Sequence, residues 1–361
     1  MKQKPFIPHR LPLDNLNWIE FIQFLGAANR EIAKFDGKLS SIPNSRILLS
    51  PLTTKEAVLS SKIEGTRATL EDVLKFEANP RKSIEKYEEI QEIINYRKAV
   101  IMAVSELKKL PLSSRLIRKI HSVLMRGTRG EGKTPGSFRT GSVFIGKQGI
   151  GVEGASYIPP EAQEIENYFA ELERYIHYEE KDFLVQLAIV HAQFEIIHPF
   201  WDGNGRTGRI LLPLFLFYKK VLTSPMFYLS EYLEANRDDY YYHLQNTSKN
   251  NDWESWIKFF LIAVKKQSEK NNERVQNILS LYNSLKDKIV AIPTPKNAIK
   301  VLDFLFSEPV FNSASLIRKT ALKRITAMRI LKFLVDKKFI QNDRKKRNRT
   351  YYFLDLIAII K

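Results

Sequence analysis

Residues 198 to 209 read His-Pro-Phe-Trp-Asp-Gly-Asn-Gly-Arg-Thr-Gly-Arg, and this segment holds a base, a hard oxygen ligand, paired glycines and two guanidinium groups. His198 can supply a base with a pKa near neutrality. Asp202 offers a carboxylate of the kind that holds Mg²⁺ beside phosphates. Trp201 to Gly205 reads as a turn, and a nearly all-apolar helix begins around Arg206. The N–H groups of such a turn and of the first helical turn lack intrahelical acceptors and form an anion site. Arg206 and Arg209, three apart, share a face at the end of the helix where cations oppose the dipole; an anion there removes the penalty. Singly, each feature has a plainer use. A histidine before proline caps or packs, Gly-Asn-Gly makes a turn, and two arginines at that spacing are solvated. Their coincidence within twelve residues points to phosphate chemistry.

These residues need rigid supports, and the first 290 residues supply a mainly α pattern. A helix over Asp182 to His198 must stop near Pro199, because the residue before proline is driven out of the helical region. The run after Arg206 is apolar on every side, which predicts a buried helix. Apolar residues recur at helical spacing in Ile84 to Glu106, Ser113 to Leu124 and Pro160 to Tyr175. Thr53 to Glu56 reads as a capping box opening a helix that Gly65 closes, and Thr69 to Asp72 as a second helix start. Between Thr128 and Pro160 the texture changes, with Gly130, Gly132, Gly136, Gly141, Gly146, Gly149, Gly151 and Gly154 around two short apolar runs. A glycine-rich loop with a short hairpin is expected there.

The whole chain of 361 residues, 44% hydrophobic and 27% charged, has globular composition and length for two or three units. It has no cysteine, which excludes disulfide scaffolds, thiol nucleophiles, Cys-ligated zinc and iron–sulfur clusters. The start has no apolar core of signal-peptide length, and Ile210 to Tyr218 falls far short of the ~18–20 residues of a membrane helix, so a soluble, cytoplasmic protein without membrane contact is expected. Net charge is +17, and residues 293–361 hold 16 Lys/Arg against 5 Asp/Glu. This asymmetry, with the prolines of residues 291–295 as a linker, marks off a basic tail and makes an anionic partner plausible.

At every fixed position the twelve-residue segment matches the Fic-family pattern H-x-F-x-[D/E]-G-N-G-R-x-x-R. The resemblance extends through Ile117 to Gly130, Pro135 to Arg139, Tyr157 to Pro160 and Arg237 to Tyr241 with Asp252-Trp253, roughly residues 10–270. It implies transfer of AMP from ATP to a protein Ser, Thr or Tyr hydroxyl. His198 would be the base, Asp202 the Mg²⁺ ligand, and Gly203, Asn204, Gly205, Arg206, Thr207, Gly208 and Arg209 the ATP-phosphate site. Arg206 falls on the β side and Arg209 on the γ-phosphate. The hairpin around residues 143–158, with Ser156 and Tyr157, resembles the family's flap, which docks the target as an added strand. Tyr240 and Tyr241 look like the family's tyrosines near adenine, and ordinary aromatic core explains them equally well. His191, on the same helix face as His198, reads as a packed supporting residue. Self-association is common among relatives, and transfer of UMP or phosphocholine, or phosphorylation, are the family's other reactions.

Ser60-Ser-Lys-Ile-Glu-Gly65 matches the family's inhibitory pattern [S/T]-x-x-x-E-[G/N]. Glu64 ends a helix, where a carboxylate opposes the dipole and wants a cation. The resemblance implies that it pairs with Arg209 and displaces the γ-phosphate, and in some relatives the same Glu supports AMP removal. The tail reads as three helices, Lys296 to Ser307, Asn312 to Lys319 and Leu322 to Lys337, then two strands around Arg344 to Arg349. It resembles a winged helix, with double-stranded DNA or a docking protein as partner. The expected organisation is an N-terminal helical region over 1–110 with the inhibitory helix at about 53–65, a Fic core over 111–270, helix and linker over 271–295, and a winged helix over 296–361. A DNA-binding regulator whose Fic domain senses nucleotide is the rival reading, which an intact His198 disfavours.

Overall fold

The computed structural model describes residues 4–42, 44, 49–81, 83–146, 154–292, 295–345 and 348–361. The expected hairpin tip with Gly149 and Gly151, two linker residues (293–294) and the centre of the basic turn (346–347) lie outside them. The fold is mainly α, with two small antiparallel sheets.

In chain order the helices of the larger part are α1 (Ile22–Ser41), α2 (Ser50–Ile63), α3 (Leu70–Ala78), α4 (Tyr87–Glu106), α5 (Ser114–Leu124), α6 (Ile165–His177), α7 (Phe183–Ile197), α8 (Asn204–Tyr218), α9 (Ser230–Ala235), α10 (Arg237–Asn250) and α11 (Trp253–Ile289). The hairpin strands β1 (Ile145–Gly146) and β2 (Ala155–Tyr157) pair antiparallel between α5 and α6. α7 and α8 pack together at the centre; every residue of α7 except Phe183 and Glu195 is buried. Asp182 starts α7 as an N-cap, accepting from the N–H groups of Leu184 and Val185 at 2.7 and 3.2 Å.

Two helix starts depart from expectation. α2 begins at Ser50 with a proline in its first turn, so Thr53 and Glu56 are interior to it. Thr53 bonds the Tyr228 hydroxyl at 2.5 Å and Glu56 accepts from the Ser230 hydroxyl at 2.6 Å; neither caps anything. α8 begins at Asn204, two residues early, because Gly203 at φ 75° forms the N-cap and places Gly205 inside the first turn. The Thr69–Asp72 capping box is present. Residue 270, drawn as the core's edge, falls inside the 37-residue α11.

Beyond α11 come α12 (Ala298–Ser307), β3 (Val310–Asn312), α13 (Ser313–Thr320), α14 (Arg324–Asp336), β4 (Gln341–Asn342), β5 (Thr350–Tyr352) and α15 (Leu354–Ile360). The sheet order β3-β5-β4 adds a strand before α13 that the sequence pattern did not indicate. Three apolar and polar residues are too few to show an alternating period. This unit packs on the larger part: Asn312 Nδ2 donates to the Ala78 carbonyl at 2.5 Å and Asn79 Nδ2 to Thr350 Oγ1 at 2.9 Å. Among the described residues no helix is long and apolar enough to cross a membrane.

Candidate active site

α7 ends where Pro199 forces it to, and His198 closes it in the left-handed region at φ 48°. That backbone is uncommon for a residue with a Cβ and needs outside support. Arg139 provides it. Its buried guanidinium donates to the carbonyls of His198, Gly141 and Pro160 at 2.9, 2.8 and 2.6 Å. Burial and the nearby Arg139 charge pull the His198 pKa down to about 4, so its imidazole is neutral and able to take a proton at pH 7.

The turn after Pro199 is fixed from inside. Asn204 accepts from the Phe200 N–H and donates to its carbonyl, both at 2.8 Å, so its amide staples the loop and leaves only its backbone for a ligand. His121 Nδ1 accepts from the Gly136 N–H at 2.9 Å; its Nε2 therefore carries the hydrogen and donates to the Asp202 carbonyl, also at 2.9 Å. The ring stacks on Phe200 with centroids 3.8 Å apart. Thr207 turns its hydroxyl back onto the Gly203 carbonyl at 2.8 Å, and a side chain on Gly208 would overlap Glu195 and Phe194. Thr207 and Gly208, expected on the ligand face, thus serve the packing of α8.

Arg206 and Arg209 part company. Arg206, 2% exposed, donates to Glu92 at 2.7 Å and lies 3.5 Å from Asp202. Arg209, 1% exposed, donates from Nε to Ser60 Oγ at 2.9 Å, and from Nη2 to the Ser60 carbonyl at 2.9 Å and to Glu64 at 2.6 Å. Burial works against the Arg209 charge, yet Glu64 more than offsets it and raises its pKa. Reciprocally, burial pushes Glu64 up but the Arg209 charge and hydrogen bond bring it below the usual carboxylate range. Glu64 reaches this point because α2 ends in a Schellman motif: Thr66 N–H bonds the Ser61 carbonyl at 3.1 Å, Gly65 N–H bonds that of Lys62 at 2.9 Å, and Gly65 takes φ 91°. Gly205 completes the fit, since a Cβ there would overlap the Glu64 carboxylate.

A cavity of about 830 Å³ opens over this point, lined by Glu64, His198, Gly205 and Arg209 on one side and by Ser156, Tyr157, Tyr240 and Tyr241 on others. Tyr157 donates to the Ile196 carbonyl at 2.8 Å, and the Ser156 hydroxyl to that of Ile145 at 2.8 Å, so these two order the hairpin. Tyr240 is buried and its hydroxyl meets His191 Nε2 at 2.9 Å; His191, also buried, supports the tyrosine. Tyr241 is exposed, with the Arg237 guanidinium 5.8 Å from its ring centroid. Asp202 and Arg206 do not line the cavity. A second hollow of about 920 Å³, beside residues 7–10 and α6, involves none of the twelve-residue segment.

Asp202 is the metal ligand expected from the sequence. Its Oδ1 accepts from the Gly203 N–H at 2.6 Å, and Oδ2 meets Lys133 at 3.0 Å. Burial disfavours its charge, but Lys133, Arg206 and the Gly203 N–H hold its pKa below normal. No group of three His, Cys, Asp or Glu side chains suited to a metal occurs among the described residues. A single ionised, partly exposed carboxylate fits Mg²⁺ carried mainly by phosphates and water.

Glu92, His121, Lys133, Arg139 and Glu195 were not singled out from the sequence. His121 and Arg139 lie in the stretches that carried the resemblance, but Glu92 joins Arg206 across 114 residues and left no local signal.

Comparison with known proteins agrees with this geometry. The Fic/DOC family N-terminal model matches residues 22–105 and the Fic/DOC family model residues 111–216. A "Probable protein adenylyltransferase" of Aquifex aeolicus is 29% identical over 194 residues, covering 53% of this chain and 56% of its own length. The "Protein adenylyltransferase Fic" of Drosophila melanogaster is 26% identical over 137 residues, 36% of this chain and 24% of its own. The chain thus spans about half or less of these relatives. A Fic family protein from Desulfovibrio desulfuricans G20 has the same fold, with a TM-score of 0.60 at 21% identity over 96% of this chain and 98% of that one. With both family models matched, together over more than half of its length, and the motif histidine and arginine meeting at one cavity, the chain belongs to the Fic/DOC family.

Proposed function

We propose that this chain is a protein adenylyltransferase that transfers AMP from ATP to Ser, Thr or Tyr hydroxyls, its own included, and that Glu64 holds it inactive. The observation that carries the reading is the ion pair of Glu64 with Arg209 at the start of α8, within the cavity that His198 also lines. In this reading the triphosphate lies over the N-terminal turn of α8, where backbone N–H groups and the helix dipole favour it. The neutral His198 takes the acceptor's proton, the hydroxyl oxygen bonds to the α-phosphorus, and the bond from that phosphorus to the bridging oxygen breaks, releasing pyrophosphate. Arg209, once free of Glu64, holds the terminal phosphate; Arg206, buried in its pair with Glu92 outside the cavity, braces the start of α8 from behind. Mg²⁺ on Asp202 and the phosphates would supply charge neutralisation. The hairpin β1–β2 offers an edge for the target's backbone. The names of the relatives support AMP as the transferred group.

The test is labelled ATP with the wild-type chain and its Glu64→Gly variant. Removing one partner of a charge-assisted hydrogen bond, worth about 1.5–3 kcal/mol, should raise labelling on the order of 10- to 100-fold. Equal labelling would remove the brake from the proposal, and no labelling by either would remove the transferase.

A second partner has its own support. α14 exposes Arg324, Ile325, Met328, Arg329 and Lys332 on one face, with Lys323 just before it. We take this basic face, beside the turn with Arg344 and Arg349, as a contact for double-stranded DNA.

A further inference from the structure

Glu195 is the one acidic residue of α7 and, with Phe183, one of its two residues that are not fully buried. It stands three residues before His198, on the same face, and lines the cavity with Glu64 and Arg209. Its Oε1 is buried with no hydrogen-bond partner among the described residues. That oxygen sits where a side chain on Gly208 would lie, as Oε1 of Glu64 sits where a side chain on Gly205 would lie. Gly205 and Gly208 are three apart on α8, so two carboxyls share one face of that helix, Glu64 paired with Arg209 and Glu195 lining the same cavity as that guanidinium.

A single guanidinium compensates one buried carboxylate, and Glu64 already provides it. A second charge on Glu195 would be uncompensated, which a neutral acid avoids. Should Glu64 withdraw, Arg209 would in turn be a buried cation without an anion, and Glu195 is the carboxyl at hand. Resting on the adenylyltransferase reading, we propose that Glu195 is a positioning residue, the reserve counter-ion of Arg209: neutral while Glu64 is seated, it pairs with the guanidinium when Glu64 leaves and yields it, taking up a proton from solvent, to the terminal phosphate of ATP.

The groups around it leave Glu195 free to do this. Burial raises its pKa to about 8, against the pull of Arg209 and with the help of Glu64. On α7, burial pulls His191 down to about 3 and His198 to about 4. On α10, burial drives Tyr240 well above its ordinary value and Tyr241 up to about 12. Arg209 on α8 is shifted up and Glu64 at the end of α2 down. Of these groups Glu195 alone changes charge between pH 6 and 9, and the pairing costs a proton that the phosphate must restore.

Calorimetric titration of ATP into the Glu64→Gly chain, in buffers of different protonation heat, tests this. Affinity should fall about tenfold from pH 7 to 9, with uptake of about one proton per ATP in the lower part of that range, where the free chain holds Glu195 ionised against Arg209 and the ATP complex holds it protonated. In Glu64→Gly with Glu195→Gln the affinity should stay level and the uptake vanish; Glu195→Ala should behave likewise, and thermal melts check that the variants fold. Adenosine, which lacks phosphates, should bind independently of pH in all of them. The same pH slope with and without Glu195 overturns the inference while leaving the nucleotide site intact. Failure of the Glu64→Gly chain to bind ATP at any pH overturns the nucleotide reading and this inference with it.

Discussion

His198 can act as a base only in its neutral form, and its surroundings enforce that form: burial and Arg139 hold its pKa at about 4. A depressed pKa means that the base is available above about 4 and lost as pH falls through that value. In the Glu64→Gly chain, kcat/KM for the acceptor should therefore show its acid limb below about pH 5, and lower still because Glu64 itself raises the histidine. A limb near the ordinary histidine value would show the ring to be solvated. His198→Ala should lower AMP transfer by about 10²- to 10⁴-fold while ATP still binds, measured by single turnover and titration. Glu92 answers to stability as well. It is 1% exposed and pairs with the 2% exposed Arg206, so Glu92→Ala would strand a buried cation and lower unfolding free energy in urea by about 3–5 kcal/mol.

The position of Glu64 is a property of how α2 ends. Gly65 at φ 91° allows the Schellman closure, and any residue with a Cβ is strained there. Gly65→Ala should loosen that closure by about 1 kcal/mol, and the basal labelling rate should rise by up to about fivefold, the factor this energy corresponds to. An unchanged basal rate would mean that Glu64 is held by Arg209 alone. Much of this was legible in the chain. Pro199, Gly65 and the apolar run after Arg206 announce where α7 and α2 stop and that α8 is buried, because each acts through its own backbone or side chain. The misplaced starts of α2 and α8 have tertiary causes. Thr53 and Glu56 look like a capping box until Tyr228 and Ser230 claim them, and Gly205 looks like turn until Gly203 takes the cap. Asn204, Thr207 and Gly208 belong to the motif, but spacing alone does not tell a ligand contact from an internal staple. Glu195 was hidden for a different reason: its significance lies in a missing partner, which only coordinates reveal.

The C-terminal unit is tied to the element that carries the brake. Lys55 of α2 donates to Glu231 at 3.0 Å and to the Lys361 carbonyl after α15 at 2.8 Å, and Glu231 also receives Arg274 of α11 at 2.9 Å. The unit's own sheet is fastened to the end of α3 through Asn312 and Asn79. α14 shows a different face, where Ile325 is 70% and Met328 44% exposed among Lys323, Arg324, Arg329 and Lys332. In the proposed contact with DNA these cations would meet phosphates and the exposed apolar groups bases. If these four cations with Arg344 and Arg349, about six in all, each neutralise a phosphate, the affinity of the full chain for a random duplex should fall on the order of a thousandfold between about 50 and 200 mM salt. Arg324→Glu combined with Arg329→Glu should abolish the gel shift and leave ATP labelling by the Glu64→Gly chain unaltered, because neither residue lines the cavity. A shift that persists in the doubly reversed variant would move the contact off this face, and absence of any shift at the lower salt would end the DNA reading.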